Sequence, residues 1–269
     1  MSKVIVITGA SSGIGRACAD HLARKGHTVI GLSRNPKTDE PGHFKALRCD
    51  ITDKTTVSNT FDNIARNHGR VDVLINCAGM GISGPIEETE MNLARLQMEV
   101  NFWGTVNTIQ AVLPLMRQQK SGLIITVSSI GGLMGLPFQG FYSAGKFALE
   151  GLTEALRMEL KGSGIQTCLV NPGDFRTEFT ARRRKNERSL RPDSPYFEQF
   201  KKSMAQIEED EKGGKDPQII AKLMEKLVNK RTPAVRFLSG AFEQKLALYI
   251  KRTIPAKWFE KILSAHYKI

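Results

Sequence analysis

The chain has 269 residues, 41% of them hydrophobic and 25% charged, with a formal net charge of +12. That length holds one large domain or two small ones, and the composition excludes disordered, collagen-like and repeat classes. Its longest apolar runs, such as residues 4–7 and 123–125, fall far short of the roughly 20 residues of a membrane span, and the amino terminus lacks a leader pattern, so a cytoplasmic protein is expected.

Residues 4–8 form a β-branched run that stops at Gly9, followed by a glycine-bearing turn and a helix over 16–25 closed by Gly26. A strand at 28–32, a helix at 55–67, a strand at 71–76, a helix at 92–119 and a strand at 123–128 continue the alternation. A helix over 141–162 and a strand at 165–170 precede Pro172, and a helix at 217–229 and a strand at 235–238 come later. Continuously apolar strands alternating with helices predict an α/β fold, a doubly wound parallel sheet (Rossmann fold) with helices on both faces. No linker splits it, so a single domain spans 1–269.

The first strand runs into T-G-A-S-S-G-I-G, with Gly9, Ser11, Ser12, Gly13, Ile14 and Gly15 at the turn. Small residues there let the backbone approach a pyrophosphate, and the helix amino terminus offers free N–H groups and partial positive charge. About twenty residues on, an NAD enzyme presents Asp or Glu to the ribose. This chain has no carboxylate within 29–37 and offers Ser33 and Arg34 instead, a donor fork suited to a 2′-phosphate, so NADP(H) is favoured over NAD. The plainer reading leaves Arg34 a solvated post-strand residue and the cofactor preference open.

Tyr142 and Lys146 are four apart in a helical stretch and therefore share one face. A lysine charge about 5 Å from the phenol, at an effective dielectric of about 20, supplies roughly 3 of the roughly 4 kcal/mol needed to bring a tyrosine pKa from about 10 to near 7. Ser129 lies just past the strand at 123–128, at the sheet edge where ligands bind, and Asn76, Ala78 and Gly79 end the preceding strand on that edge. The four cysteines are scattered, without metal-ligand spacing, so packing thiols and no metal are expected.

In this order the landmarks resemble the short-chain dehydrogenase/reductase family: the glycine turn, Asp50, N-C-A-G at Asn76, Asn101, Ser129, Y-S-A-G-K ending at Lys146, and N-P-G at Asn171. The stretch from Ser129 to Phe138, with K-F-A-L-E-G after Tyr142, is similar to the branch containing 17β-hydroxysteroid and retinol dehydrogenases. The resemblance implies that Ser129 binds the substrate oxygen, Tyr142 exchanges the proton, Lys146 holds the nicotinamide ribose, and Asn101 supports a proton-relaying water. It also implies that Asp50, with Ile51, contacts adenine and that Pro172, Gly173 and Thr177 seat the nicotinamide. Cys77, Gly145 and Phe175 depart from the usual residues, and none of them removes a catalytic group.

A charged, aromatic-dotted segment at about 177–216 reads as a substrate lid. Phe179, Tyr196, Phe197, Phe200 and Met204, with Leu133, Met134, Leu136 and Phe138, suggest a steroid, retinoid or long-chain carbonyl or alcohol; the competing reading packs many of them into the core. Up to Asp174 the net charge is +2, whereas the last 95 residues carry +10. The run Arg182-Arg183-Arg184-Lys185 reads as a solvated lid surface, with an anionic lipid or an acidic partner as the alternative, and no nucleic-acid motif accompanies it. The basic, partly amphipathic tail at about 242–269 suits either a membrane interface or docking onto protein. A homo-oligomer is implied by the resemblance. The expected function is NADP(H)-dependent hydride transfer to or from an apolar carbonyl compound, against the alternative of a catalytically silent NADP(H)-binding sensor or scaffold.

Overall fold

The computed structural model describes residues 2–36 and 43–269. Residue 37, the last of the carboxylate-free stretch, lies outside them. Strand β1 (Val4–Thr8) is buried at every position, as a strand covered on both faces requires. Helix α1 (Gly13–Arg24), β2 (Thr28–Ser33) and β3 (Lys45–Arg48) follow. Helix α2 (Lys54–His68) begins where the Asp53 carboxylate accepts from the Thr55 and Thr56 N–H groups, and it ends at Gly69 with φ of 71°. Then come β4 (Val73–Asn76), β5 (Ile82–Ser83), α3 (Met91–Met98), α4 (Gly104–Gln119) and β6 (Gly122–Val127). Helix α5 (Gly140–Glu159) and β7 (Ile165–Pro172) lead into α6 (Phe179–Arg182), β8 (Arg184–Lys185) and α7 (Phe197–Lys212). Helix α8 (Gln218–Val228), β9 (Arg236–Ser239), α9 (Phe242–Thr253) and α10 (Ala256–His266) complete the chain.

Seven strands run parallel in the order β3-β2-β1-β4-β6-β7-β9, and the winding reverses between β1 and β4. Strand residues alternate between two cores. Ile5, Ile7, Ile75 and Val170 pack under α1 and α8 through Cys18, Leu22, Ile220 and Met224. Val6, Leu74 and Ile124 pack under α2 and α4 through Val57, Phe61, Ile64, Val112 and Met116. The helical contacts recur at three- and four-residue spacing, so one face of each helix supplies them. This is the fold the alternation predicts. Cys18, Cys49 and Cys168 are free and buried, and Cys77 is half-buried.

A helix, the lid and the tail differ from expectation. The helix expected at 92–119 is interrupted by a π-helical turn, Glu99–Trp103, between α3 and α4. Hydrophobic spacing does not reveal one extra residue per turn; here the wide turn carries Asn101 inward and leaves Gly104 so near Ile51 that a Cβ would come within 2.6 Å of its Cδ1. The expected lid and tail also build core of their own. Phe200, Met204, Ile207 and Tyr267 form one buried cluster, with Phe138 packed against it, and Leu248 and Phe259 join Ile130 and Met134 in another. The tail is therefore a wall of the domain. Among the described residues no helix is long and apolar enough to cross a membrane. Phe259→Ala is expected to lower unfolding free energy by about 3 kcal/mol in urea titration, as removal of a buried ring does, whereas a loose appendage would leave it unchanged.

Candidate active site

A cleft of about 400 Å³ opens at the carboxyl ends of β1, β4, β6 and β7, where the sheet order reverses. Its floor requires glycine. A Cβ on Gly9, whose φ is 71°, would stand 2.7 Å from Ala78 Cα, and one on Gly15 would stand 2.3 Å from the Gly9 carbonyl oxygen. Thr8 Oγ1 accepts from the N–H groups of Cys77 and Ala78, at 3.1 Å each, and so ties the end of β4 to that of β1. Ser12 takes the N-cap position of α1, yet its side chain caps nothing and instead accepts from Arg182 Nη1 at 3.0 Å. The first-turn N–H groups of α1 are thus left without a side-chain cap beside the cleft, where an anionic phosphate fits.

Of the residues expected at the cofactor, Gly9, Ser11, Ser12, Gly13, Ile14, Gly15, Ser33, Arg34, Asp50, Ile51, Ala78 and Gly79 line this cleft, as do Pro172, Gly173 and Thr177. Arg34 is exposed, and no hydrogen bond or ion pair to it occurs among the described residues. The Asp50 carboxylate accepts from the N–H and hydroxyl of Thr52. Asn76 does not line the cleft; it is buried behind it, its Oδ1 accepting from Thr108 at 2.7 Å. Asn101 is also buried behind, clamping both backbone groups of Met80 at 2.8 and 2.9 Å.

Ser129, Tyr142 and Lys146 meet on the cleft wall. Past the end of β6 the chain alternates: Ser128 turns to the Lys146 carbonyl, while Ser129 accepts from the Gly131 N–H at 3.0 Å and lies within hydrogen-bonding reach of Tyr142. Lys146 is buried and donates to the Val127 carbonyl at 2.9 Å. Behind them Asn171 donates to the Ser129 carbonyl and to Glu150, which is in turn paired with Arg236. That network ties the Ser129 turn to α5, and its sequence signals are Asn171 in N-P-G and Glu150 in K-F-A-L-E-G.

The electrostatics correct one expectation. The Tyr142 phenol is pushed up from its ordinary value, not down: burial raises it, and the nearby Glu211 and Asp174 add to that against Ser129 and Arg183. The Lys146 ammonium, 5.9 Å from the Tyr142 ring centre, is not among the charges that move the phenol. Its own pKa is lowered to about 8, mainly by burial. Burial likewise holds the Cys77 thiol up at about 12, so that it remains a neutral wall of the cleft.

The lid contributes residues that the sequence did not single out for the cleft. Arg183, expected at a solvated surface, is buried against Glu211 and stacks over Phe179, whose ring lies 5.9 Å from that of Tyr142. Strands β5 and β8 pair and lay Arg184 along Gly81. Asp174, Ile207, Asp210, Glu211 and Tyr267 face the same cleft end. Of the expected apolar set, Phe179 and Leu136 line it, whereas Phe200 and Met204 pack inside the lid and the Tyr196 hydroxyl donates to Glu87. No local pattern marked Tyr267, because it reaches the cleft only when α10 folds back.

Fold and cleft together define an oxidoreductase of the doubly wound class. The short chain dehydrogenase family model matches residues 3–188, and the chain belongs to that family. It is 41% identical to 3-ketodihydrosphingosine reductase of Bacteroides thetaiotaomicron over 267 residues, covering 99% of this chain and 98% of the relative. It is 38% identical to human 17-beta-hydroxysteroid dehydrogenase type 1 over 191 residues, covering 65% of this chain and 58% of that protein. Among solved structures, a short-chain dehydrogenase from Streptomyces avermitilis superimposes with a TM-score of 0.82 at 31% identity, covering 97% of each chain.

Asp174 is strained electrostatically as well: burial, Glu211 and Asp210 raise its pKa to about 6, although Gln244 donates to it. The folded form then binds more protons than the unfolded chain between about pH 4 and 6, so its contribution to stability falls as pH rises through that window. Asp174→Asn is expected to stabilise the protein at pH 7 by about 1–2 kcal/mol, allowing for partial exposure, and to give little gain at pH 4. Thermal melts of both proteins across that range measure it.

Proposed function

We propose that the protein is an NADP(H)-dependent reductase that turns a ketone on a long apolar chain into a secondary alcohol. The observation carrying this reading is the meeting of Ser129, Tyr142 and Lys146 in one cleft with the uncapped amino end of α1. In this assignment the turn Ser11 to Gly15 holds the pyrophosphate, and the exposed Arg34, in a stretch without a carboxylate over 29–37, takes a 2′-phosphate. Asp50 and Ile51 flank the adenine, Ala78 and Gly79 let the nucleotide lie against the backbone, and Asn76 braces that strand end from behind. Lys146 holds the nicotinamide ribose; Pro172, Gly173 and Thr177 seat the ring. NADPH, when bound, supplies the hydride for the carbonyl carbon.

The remaining chemistry belongs to the chain. Ser129 donates a hydrogen bond to the substrate oxygen, and Tyr142 gives it the proton. A phenol raised above its usual pKa keeps that proton at neutral pH and still delivers it to an alkoxide, which is far more basic; this favours reduction over oxidation. Lys146, charged below about pH 8, keeps its ammonium for the ribose hydroxyls, and Asn101 is assigned the support of the water that returns a proton.

For the substrate, the Bacteroides relative suggests a 3-keto long-chain base. Such a molecule carries an amine and an alkyl chain, and the cleft end offers carboxylates at Asp174, Asp210 and Glu211 beside Leu136, Phe179 and Ile207. The homo-oligomer enters the proposal through α5, where Phe147, Gly151, Glu154 and Met158 are exposed at helical spacing.

Tyr142→Phe is expected to lower NADPH-dependent ketone reduction by about 10³-fold while NADPH binding, followed by its fluorescence, persists. A silent sensor would bind the cofactor and turn over no ketone even as wild type. For the wild type, kcat/KM for reduction should be flat up to about pH 8 and fall above it as Lys146 loses its proton. Arg34→Glu is expected to raise the KM for NADPH about tenfold or more while sparing NADH, since one charge-assisted phosphate contact is lost. An equal loss with both cofactors would remove Arg34 from the 2′-phosphate site.

A further inference from the structure

We propose that the outer face of α9 and α10 docks the protein onto an anionic lipid bilayer. The two helices are two-sided. Inward, Leu248, Phe259 and Tyr267 are buried, packing with Ile130 and Met134 or with the lid, and Lys251 donates to the Leu133 carbonyl. Outward, large apolar side chains stand in water: Phe242 is 72% exposed, Tyr249 67% and Trp258 64%, with Leu246 and Ile262 beside them in sequence register. Phe242, Leu246 and Tyr249 follow one helical stripe, and Trp258 and Ile262 another.

The polar residues between these stripes are chiefly cations. Lys245, Arg252, Lys257 and Lys261 are exposed on the two helices, against Glu243 and Glu260, and none of the four forms an ion pair among the described residues. Lys261 lies over the Trp258 ring at 5.5 Å. Exposed aromatic and aliphatic groups ringed by lysine match the headgroup region of an anionic leaflet, where apolar burial and charge attraction act together. A second copy is the poorer occupant, because an isologous contact sets each cation against the same cationic face. The placement also has a use that rests on the proposed reductase reading. The inner faces of these helices pack against the cleft-lining residues Ile130 and Leu136, and Tyr267 itself lines the cleft, so docking would bring the wall of the cleft to the leaflet that holds an apolar ketone.

The test uses the full chain, since removing the tail would remove core residues. Co-sedimentation is measured with vesicles of 30 mol% phosphatidylglycerol in phosphatidylcholine and with phosphatidylcholine alone. Binding to the anionic vesicles only, lost in about 0.5 M salt, is the expected result. Trp258→Ser with Tyr249→Ser, and separately Lys245→Glu with Lys257→Glu, should each cut partitioning by about tenfold or more, with melting temperature and NADPH-dependent reduction of a short water-soluble ketone unchanged. No binding, or binding equal among wild type and both variants, would overturn the proposal. So would light scattering in which the Trp258→Ser, Tyr249→Ser protein drops to a smaller oligomer, because the face would then be a subunit interface. A protein that sediments but reduces no ketone supports docking and refutes the reductase reading, whereas an active enzyme that never sediments refutes docking alone.

Discussion

A buried ammonium must find in protein what it has given up in water, and Lys146 finds it at the end of β6. The Val127 carbonyl accepts its proton at 2.9 Å, and its Nζ faces Gly79, where a Cβ would lie 3.9 Å away. That acceptor and that open space exist where strands end: the ladder between β6 and β7 reaches Val127 and Val170, and β4 stops at Asn76. A parallel sheet whose strands stop together yields a row of backbone groups that no neighbouring strand uses. Desolvation then keeps Lys146 near the point of losing its charge, while the adjacent phenol is held in its protonated form. The pair works as a cation beside a neutral acid.

The cleft divides its charge between two ends. Ser12, the N-cap of α1, receives Arg182 from the lid, and Arg34 stands exposed at the end of β2. Past Tyr142 the balance reverses: Asp174, Asp210 and Glu211 face the cleft, and Arg183 is spent on Glu211. Burial first, and then the like charges of Glu211 and Asp210, raise the pKa of Asp174 there. A chain with a net charge of +12 thus still gathers three carboxylates at one end of its cleft.

Much of this was legible in the sequence, and for physical reasons. Strands covered on both faces need unbroken apolar runs, so β1, β2, β4, β6 and β7 announced themselves. Tyr142 and Lys146 share a face by helical geometry, and the glycines at 9, 13 and 15 mark a close backbone approach. What escaped depended on distant contacts. The π-helical turn at Glu99–Trp103 leaves the apolar spacing almost intact. The burial of Arg183 requires Glu211, 28 residues away, and the reach of Tyr267 requires the whole tail to fold back. The upward direction of the Tyr142 shift is not legible in the sequence, because helix spacing fixes how far apart two groups lie but not how much water surrounds them.

Gln244 in α9 holds the loop after β7 at several atoms. Its Oε1 accepts from the Asp174 and Ala241 N–H groups, its amide donates to the Asp174 carboxylate, and a Cβ on Gly173 would strike it at 1.9 Å. Loop and terminal helix are therefore mechanically one part. A molecule that shifts α9 at Gln244 would shift the Gly173 turn with it, and thermodynamic reciprocity requires the converse: a molecule gripping that turn would change the affinity of such a helix-binding partner by the same factor.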